Sequence, residues 1–145
     1  MTTTTMNNGS QQTTAGFGKL LGQALMGGAA AAVVNLILFF AARAAGVAMT
    51  GEFQPGTVSE LMIPAVAVAS IVPGFIGAGI ALAFAKFTKA PARNFGILAA
   101  VFTLLTLGGP VGVPQVSTGT VVVMELMHVI AAVGIGGMLV RALRR

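Results

Sequence analysis

A chain of 145 residues allows about one domain, and this one is 56% hydrophobic with only 8% charged residues. Soluble domains are about a quarter charged, so a mean hydropathy of +0.94 excludes a water-soluble globule and makes lipid the solvent for most of the surface. Cysteine is absent, which removes disulfides and thiolate chemistry, and the net charge of +5 sits at segment ends rather than on a basic stripe for nucleic acid.

Within residues 1–18, Met1 to Gln12 consists of Thr, Asn, Ser, Gln and Gly with almost nothing apolar. Such a segment cannot offset the entropy of ordering, so a disordered polar tail is expected there. Residues 19–145 are then one membrane domain. Crossing the hydrocarbon takes about 20 apolar residues. The first segment that long covers about residues 20–45. A cleaved signal peptide ending at Gly46-Val47-Ala48 is the rival reading of it. Its apolar run exceeds the about 7–15 residues of a signal core, and it contains Asn35 and Arg43, so a retained span is the better reading.

The second span covers about residues 61–85. Ala65, Ala69, Pro73, Gly77, Ala81 and Ala85 recur in it every fourth residue and so share one slowly drifting face. Small residues let helices approach closely in lipid, so this row is expected to be a packing face. Gly27, Ala31 and Asn35 offer the same interval in the first span, and Ala132 and Gly136 in the fourth. Pro73 lies mid-span, lacks an N–H and is expected to kink the helix.

The third span, about residues 94–113, is interrupted at Gly108-Gly109-Pro110. Its helical part, about 15 residues or about 22 Å, is short of the roughly 30 Å hydrocarbon core. A close lid made by Pro110 to Gln115 is expected to finish the crossing. The fourth span covers about residues 118–140.

Four spans place Lys19, Lys86, Lys89, Arg93, Arg141, Arg144 and Arg145 on one side. The other side holds Glu52 and Glu60, with Arg43 as its only cation. The positive-inside rule then puts both termini in the cytoplasm. The fold class read from the sequence is all-α, an integral membrane four-helix bundle, N-in/C-in.

Four polar side chains fall within or near the outer half of the membrane. Asn35 and Arg43 are eight apart, and Glu125 and His128 three apart, so each pair shares a helix face. Counted from the outer ends, Asn35 and His128 lie about 16 Å deep, Glu125 about 10 Å and Arg43 about 4 Å. Charges in lipid turn inward and pair. The expected arrangement is an Arg43–Glu125 ion pair with Asn35 and His128 hydrogen-bonded below it. Such a cluster reads as interhelical glue or as a binding or proton-relay site. Glu125-x-x-His128 also has the spacing of a di-iron ligand pair, but the chain lacks the second pair and the further carboxylates. No metal, cofactor or catalytic set is expected.

The stretch Asn35 to Gly46 (NLILFFAARAAG), mid-span Pro73, Gly109-Pro110 and Leu126-Met127-His128-x-x-Ala131-Ala132 together resemble a family of small bacterial four-helix integral membrane proteins of unknown function. The resemblance covers about residues 20–140. It implies a multi-pass protein of the bacterial inner membrane and carries no activity. Small multidrug transporters are of similar size, but they place their glutamate in the first helix among Trp and Tyr. Here the glutamate is in the fourth span and those aromatics are absent.

The functional reading is a non-enzymatic structural or accessory membrane subunit. Its partners are the lipid bilayer and either copies of itself or a larger membrane complex, with no nucleic acid. The alternative is a small transporter or proton-coupled carrier using Glu125 and His128.

Overall fold

A computed structural model describes residues 16–145. The polar tail expected over residues 1–18 lies outside them except for its last three positions, and Phe17 and Gly18 already belong to a helix. The chain is mostly helical, with four helical segments long and apolar enough to cross a membrane.

The first segment is α1, Phe17–Ala44. A short antiparallel hairpin follows, β1 Thr50–Gln54 and β2 Thr57–Glu60. The second segment is divided into α2, Ile63–Ile71, and α3, Pro73–Phe87. The third is α4, Pro91–Thr106, which leads into a single 3-10 turn at Pro110–Gly112. The fourth is α5, Thr118–Leu143.

Local chemistry sets the ends. Gly46 has φ +87, a conformation open to a residue without Cβ. Its N–H bonds Arg43 O and the Val47 N–H bonds Ala42 O, so a Schellman turn closes α1. Pro55-Gly56, with Gly56 at φ +74, turns the hairpin. Ser117 caps α5 by accepting the Thr120 N–H at 3.1 Å. Pro73 and Pro91 each occupy a first helical turn, where a missing N–H costs nothing within the helix that follows. Between α2 and α3, however, Pro73 has no proton for the Ala69 carbonyl four residues back.

The segment after α4 folds against the hairpin. Glu52 N–H donates to Pro114 O at 2.9 Å, and Gln115 reaches the Glu52 carboxylate at 3.4 Å. This covers the hairpin end of the molecule with backbone whose polar groups are partly paired.

Helix α1 is the hub. Its buried residues Leu20, Ala24, Gly27, Ala31, Asn35, Phe39 and Ala42 recur at three- and four-residue intervals along one face. Opposite it, α5 approaches so closely at Gly134 that a Cβ on Gly27 would lie 2.7 Å from the Gly134 carbonyl carbon. A Cβ on Gly28 would meet Ser70 O of α2 at 3.0 Å, and one on Gly74 of α3 would meet Ala24 O at 3.3 Å. Lipid exerts no hydrophobic pressure on apolar helices, so such backbone proximity is the main source of cohesion.

Two apolar clusters lie along the long axis. One joins Leu20 and Ala24 of α1 to Ala78, Ala81, Phe95, Ile135 and Leu139. The other joins Phe39 and Ala42 to Met49, Val66, Val123 and Met127 near the hairpin. The start of α1, the end of α3, the start of α4 and the end of α5 therefore share one end of the molecule, together with their lysines and arginines.

The small-residue row of the second span does not form the packing face expected of it along its first half. Ala65, Ala69 and Pro73 are exposed, and the buried row is one position on: Val66, Ser70, Gly74 and Ala78. Spacing alone makes both rows eligible. The α1 backbone selects the row whose serine and glycine permit its contact at Gly28 and Ala24.

Candidate functional site

The polar side chains singled out from the sequence do not form one cluster. Asn35, 2% exposed, donates from Nδ2 to Ser70 Oγ at 2.9 Å and to Met127 O at 3.1 Å. Ser70 in turn donates to Val66 O at 2.8 Å. One amide thus ties α1 to α2 and α5. Its Oδ1 is buried and has no hydrogen-bond partner among the described residues.

His128 Nε2 lies 2.8 Å from Thr106 Oγ1, which links α5 to the end of α4. Thr106 also lies 2.8 Å from Phe102 O and 3.1 Å from Thr103 O. A hydroxyl has a single proton. With that proton on Phe102 O, His128 is the donor from Nε2.

Arg43 pairs with Glu60, not with Glu125. Nη1 is 2.8 Å from Oε2 and Nη2 is 3.5 Å from Oε1, and the guanidinium sits 5.7 Å from the Phe39 ring centre. The hairpin explains the correction. Its register sets Thr50 opposite Glu60 and so returns Glu60 to the end of α1. An exposed carboxylate there meets Arg43 without desolvation, whereas reaching Glu125 would take the guanidinium out of water. Both partners remain exposed, at 42% and 59%, and pairs of that kind are worth about 0.2–1 kcal/mol. Glu60→Gln should therefore lower unfolding free energy by about 1 kcal/mol or less. That small effect should fade further with added salt, as followed by titration with a denaturing detergent.

Glu125 stands apart, with both carboxylate oxygens buried and, among the described residues, unpartnered. An unpaired buried acceptor is costly, and an apolar or neutral replacement removes that cost. Glu125→Leu and Glu125→Gln should leave unfolding free energy unchanged or raise it by about 1 kcal/mol. A loss of about 2 kcal/mol or more in the same titration would reveal a partner and refute this reading. Among the described residues, no three His, Asp or Glu side chains are grouped to hold a metal ion.

Two of the four singled-out residues, Asn35 and His128, do line a common space. A cavity of about 520 Å³ lies between the second helical segment and α4, with α5 as its floor. Ala65, Ala69, Pro73 and Gly77 form one wall, Leu98, Ala99 and Phe102 the facing wall. It exists for two reasons. The exposed small-residue row of α2 leaves room, and α4 packs on α3 and α5 while scarcely meeting α2. Of α4, only Phe95 is buried, near α3, where its ring lies 6.4 Å from that of Phe84. Ser70 of α2, which also lines this space and bonds Asn35, was missed in the sequence. It is the one hydroxyl between residues 61 and 85, and that isolation was the available signal.

A family model described as a family of unknown function (DUF6069) matches residues 16–145. The chain belongs to that family. No curated protein and no solved structure matches it. Membership of DUF6069 brings no activity with it, so the geometry of the four apolar helices is what bears on function.

Proposed function

We propose that this DUF6069 protein is a four-helix bundle of the cell membrane with both termini cytoplasmic, acting without catalysis as a structural or accessory subunit. One observation carries the reading. The polar groups of the span interiors are engaged largely in links between helices, Asn35 with Ser70 and Met127 and His128 with Thr106. Glue of that kind sets helix register and leaves no converging nucleophile, base and acid among the described residues. The separation of charge supports the orientation. Seven cations lie at one end, and Glu52, Glu60 and Arg43 at the other.

The test has two arms. Reporter tags fused at Met1 and at Arg145 should both report the cytoplasmic side, and tags on opposite sides would overturn the topology. Mass measurement of the protein extracted in native lipid particles should exceed the 14.5 kDa of one chain, through added copies or a second protein. A lone chain in such particles would count against the subunit reading.

The unpartnered Glu125 carboxylate favours a second reading, a small proton-coupled carrier using Glu125 and His128. On that reading Glu125→Gln and His128→Ala abolish the cellular phenotype while the protein stays folded. On the subunit reading His128→Ala acts through the fold and Glu125→Gln is silent.

A further inference from the structure

We infer that the groove along the outer side of the α1–α5 crossing holds an anionic phospholipid, with an acyl chain in the groove and the headgroup phosphate on Arg141 and Lys19. The inference rests on the bilayer placement of the apolar helices and is independent of the subunit role.

The groove follows from the tightest helix contact. At Gly27 and Gly134 the two backbones meet without side chains between them, and beside that contact lies an open trough of about 490 Å³. Met26 and Ala30 of α1 form one bank, Val133 and Gly137 of α5 the other. Gly137 keeps it open, because nothing lies within 4 Å of a Cβ built there. Arg141 is the only charged residue in the lining. Val133, Gly137 and Arg141 recur every fourth residue, so they share one face of α5 over about 12 Å. Lys19 belongs to the same end. Its neighbour Leu20 packs in one cluster with Leu139 and Ala142, and Lys19 is seven residues from Met26, on the same face of α1.

Charge decides the occupant. The chain has three carboxylate side chains. Glu52 and Glu60 belong to the hairpin at the other end, and Glu125 lies about 24 Å along α5 from Arg141. Among the described residues the only ion pair is Arg43 with Glu60. Arg141 and Lys19 are both exposed and meet no protein carboxylate. An anionic headgroup supplies the missing charge at the depth where its acyl chain enters the apolar trough. Membrane sidedness accounts for cations at this end of the molecule, but not for one that lines a trough between helices. A second copy of the chain is the poorer occupant. Copies inserted the same way up and joined symmetrically at this groove would set Arg141 and Lys19 against their own counterparts.

The test uses the full chain in phosphatidylcholine nanodiscs. The sequence has no tryptophan, so Met26→Trp places a single fluorescent reporter on the groove bank. Phosphatidylglycerol or phosphatidylcholine with brominated chains is then added as a contact quencher. The reporter should favour phosphatidylglycerol about twentyfold, from about fivefold for each of two basic residues. Arg141→Gln should lower the preference about fivefold, and Arg141→Gln with Lys19→Gln should abolish it. Gly137→Leu keeps both cations, fills the trough and should also abolish it. Lys86→Gln with Lys89→Gln removes two cations from the α3–α4 connection at the same end and should leave it unchanged. All these positions are exposed, and detergent unfolding checks that each variant is folded. Equal quenching by the two lipids overturns the inference. So does a preference that survives the Arg141 and Lys19 pair or Gly137→Leu, or one that is lost with Lys86 and Lys89, which would make it a general field of the cationic end. If neither lipid quenches the reporter, protein covers the groove and the proposal fails.

Discussion

Replacing Gly27 with alanine is expected to lower unfolding free energy by about 3 kcal/mol or more, at the upper end of overpacking costs. The added methyl would lie 2.7 Å from the Gly134 carbonyl carbon and 3.0 Å from Ile135 Cα. These are backbone atoms of a long helix, so no side-chain rotation relieves the clash. Helices α1 and α5 must move apart, and the close contacts along their shared face weaken together. Gly27→Val should prevent accumulation of folded protein. Gly22→Ala and Gly137→Ala provide the contrast. Nothing lies within 4 Å of a Cβ at either position, so the only effect is the gain in helix propensity, up to about 1 kcal/mol. The readout is unfolding by denaturing detergent in mixed micelles. Equal effects at Gly27 and Gly22 would show that the α1–α5 crossing lies elsewhere.

Asn35→Asp should be the most damaging of the isosteric changes, at about 3–5 kcal/mol. The substitution turns a donor into an acceptor 3.1 Å from Met127 O and 2.9 Å from Ser70 Oγ. The repulsion at Met127 is relieved only where the new carboxyl is protonated, and its single proton then replaces one of the two donors lost, so the damage should lessen as pH is lowered. Asn35→Leu, by contrast, removes two hydrogen bonds together with the unpartnered Oδ1. Interhelical hydrogen bonds in membranes average about 0.6 kcal/mol, so the net loss should be only about 1 kcal/mol. The order Asp far worse than Leu is the diagnostic result in the same detergent titration. The reverse order would mean that the amide nitrogen is not the group facing Met127.

The spans were legible because lipid constrains sequence so strongly. An apolar run of sufficient length can satisfy its backbone only as a helix. Residues 20–45 and 118–140 therefore mark much the same elements as α1 and α5. The hairpin was not read in the sequence, although Pro55-Gly56 was a turn signal within it. Its apolar alternation is short, and nothing local tells that Glu60 returns to the end of α1. That omission is why the Arg43 partner was misassigned.

The candidate site was legible only in its ingredients. Asn35 and His128 stood out as polar residues at matching depth, and both do border the cavity. Ser70 and Thr106, their actual partners, are ordinary hydroxyl residues within apolar stretches, and linear order does not tell which helix faces they meet.

Composition and periodicity by themselves determined that this chain has four apolar helices, because burying unpaired backbone in hydrocarbon is prohibitive whatever the neighbours are. The tertiary structure decided which small-residue row packs and which one borders a cavity. That choice turns on the distance of closest approach between two backbones, as at Gly27 and Gly134 or Gly28 and Ser70. Such a distance belongs to a pair of helices, so neither sequence segment contains it alone.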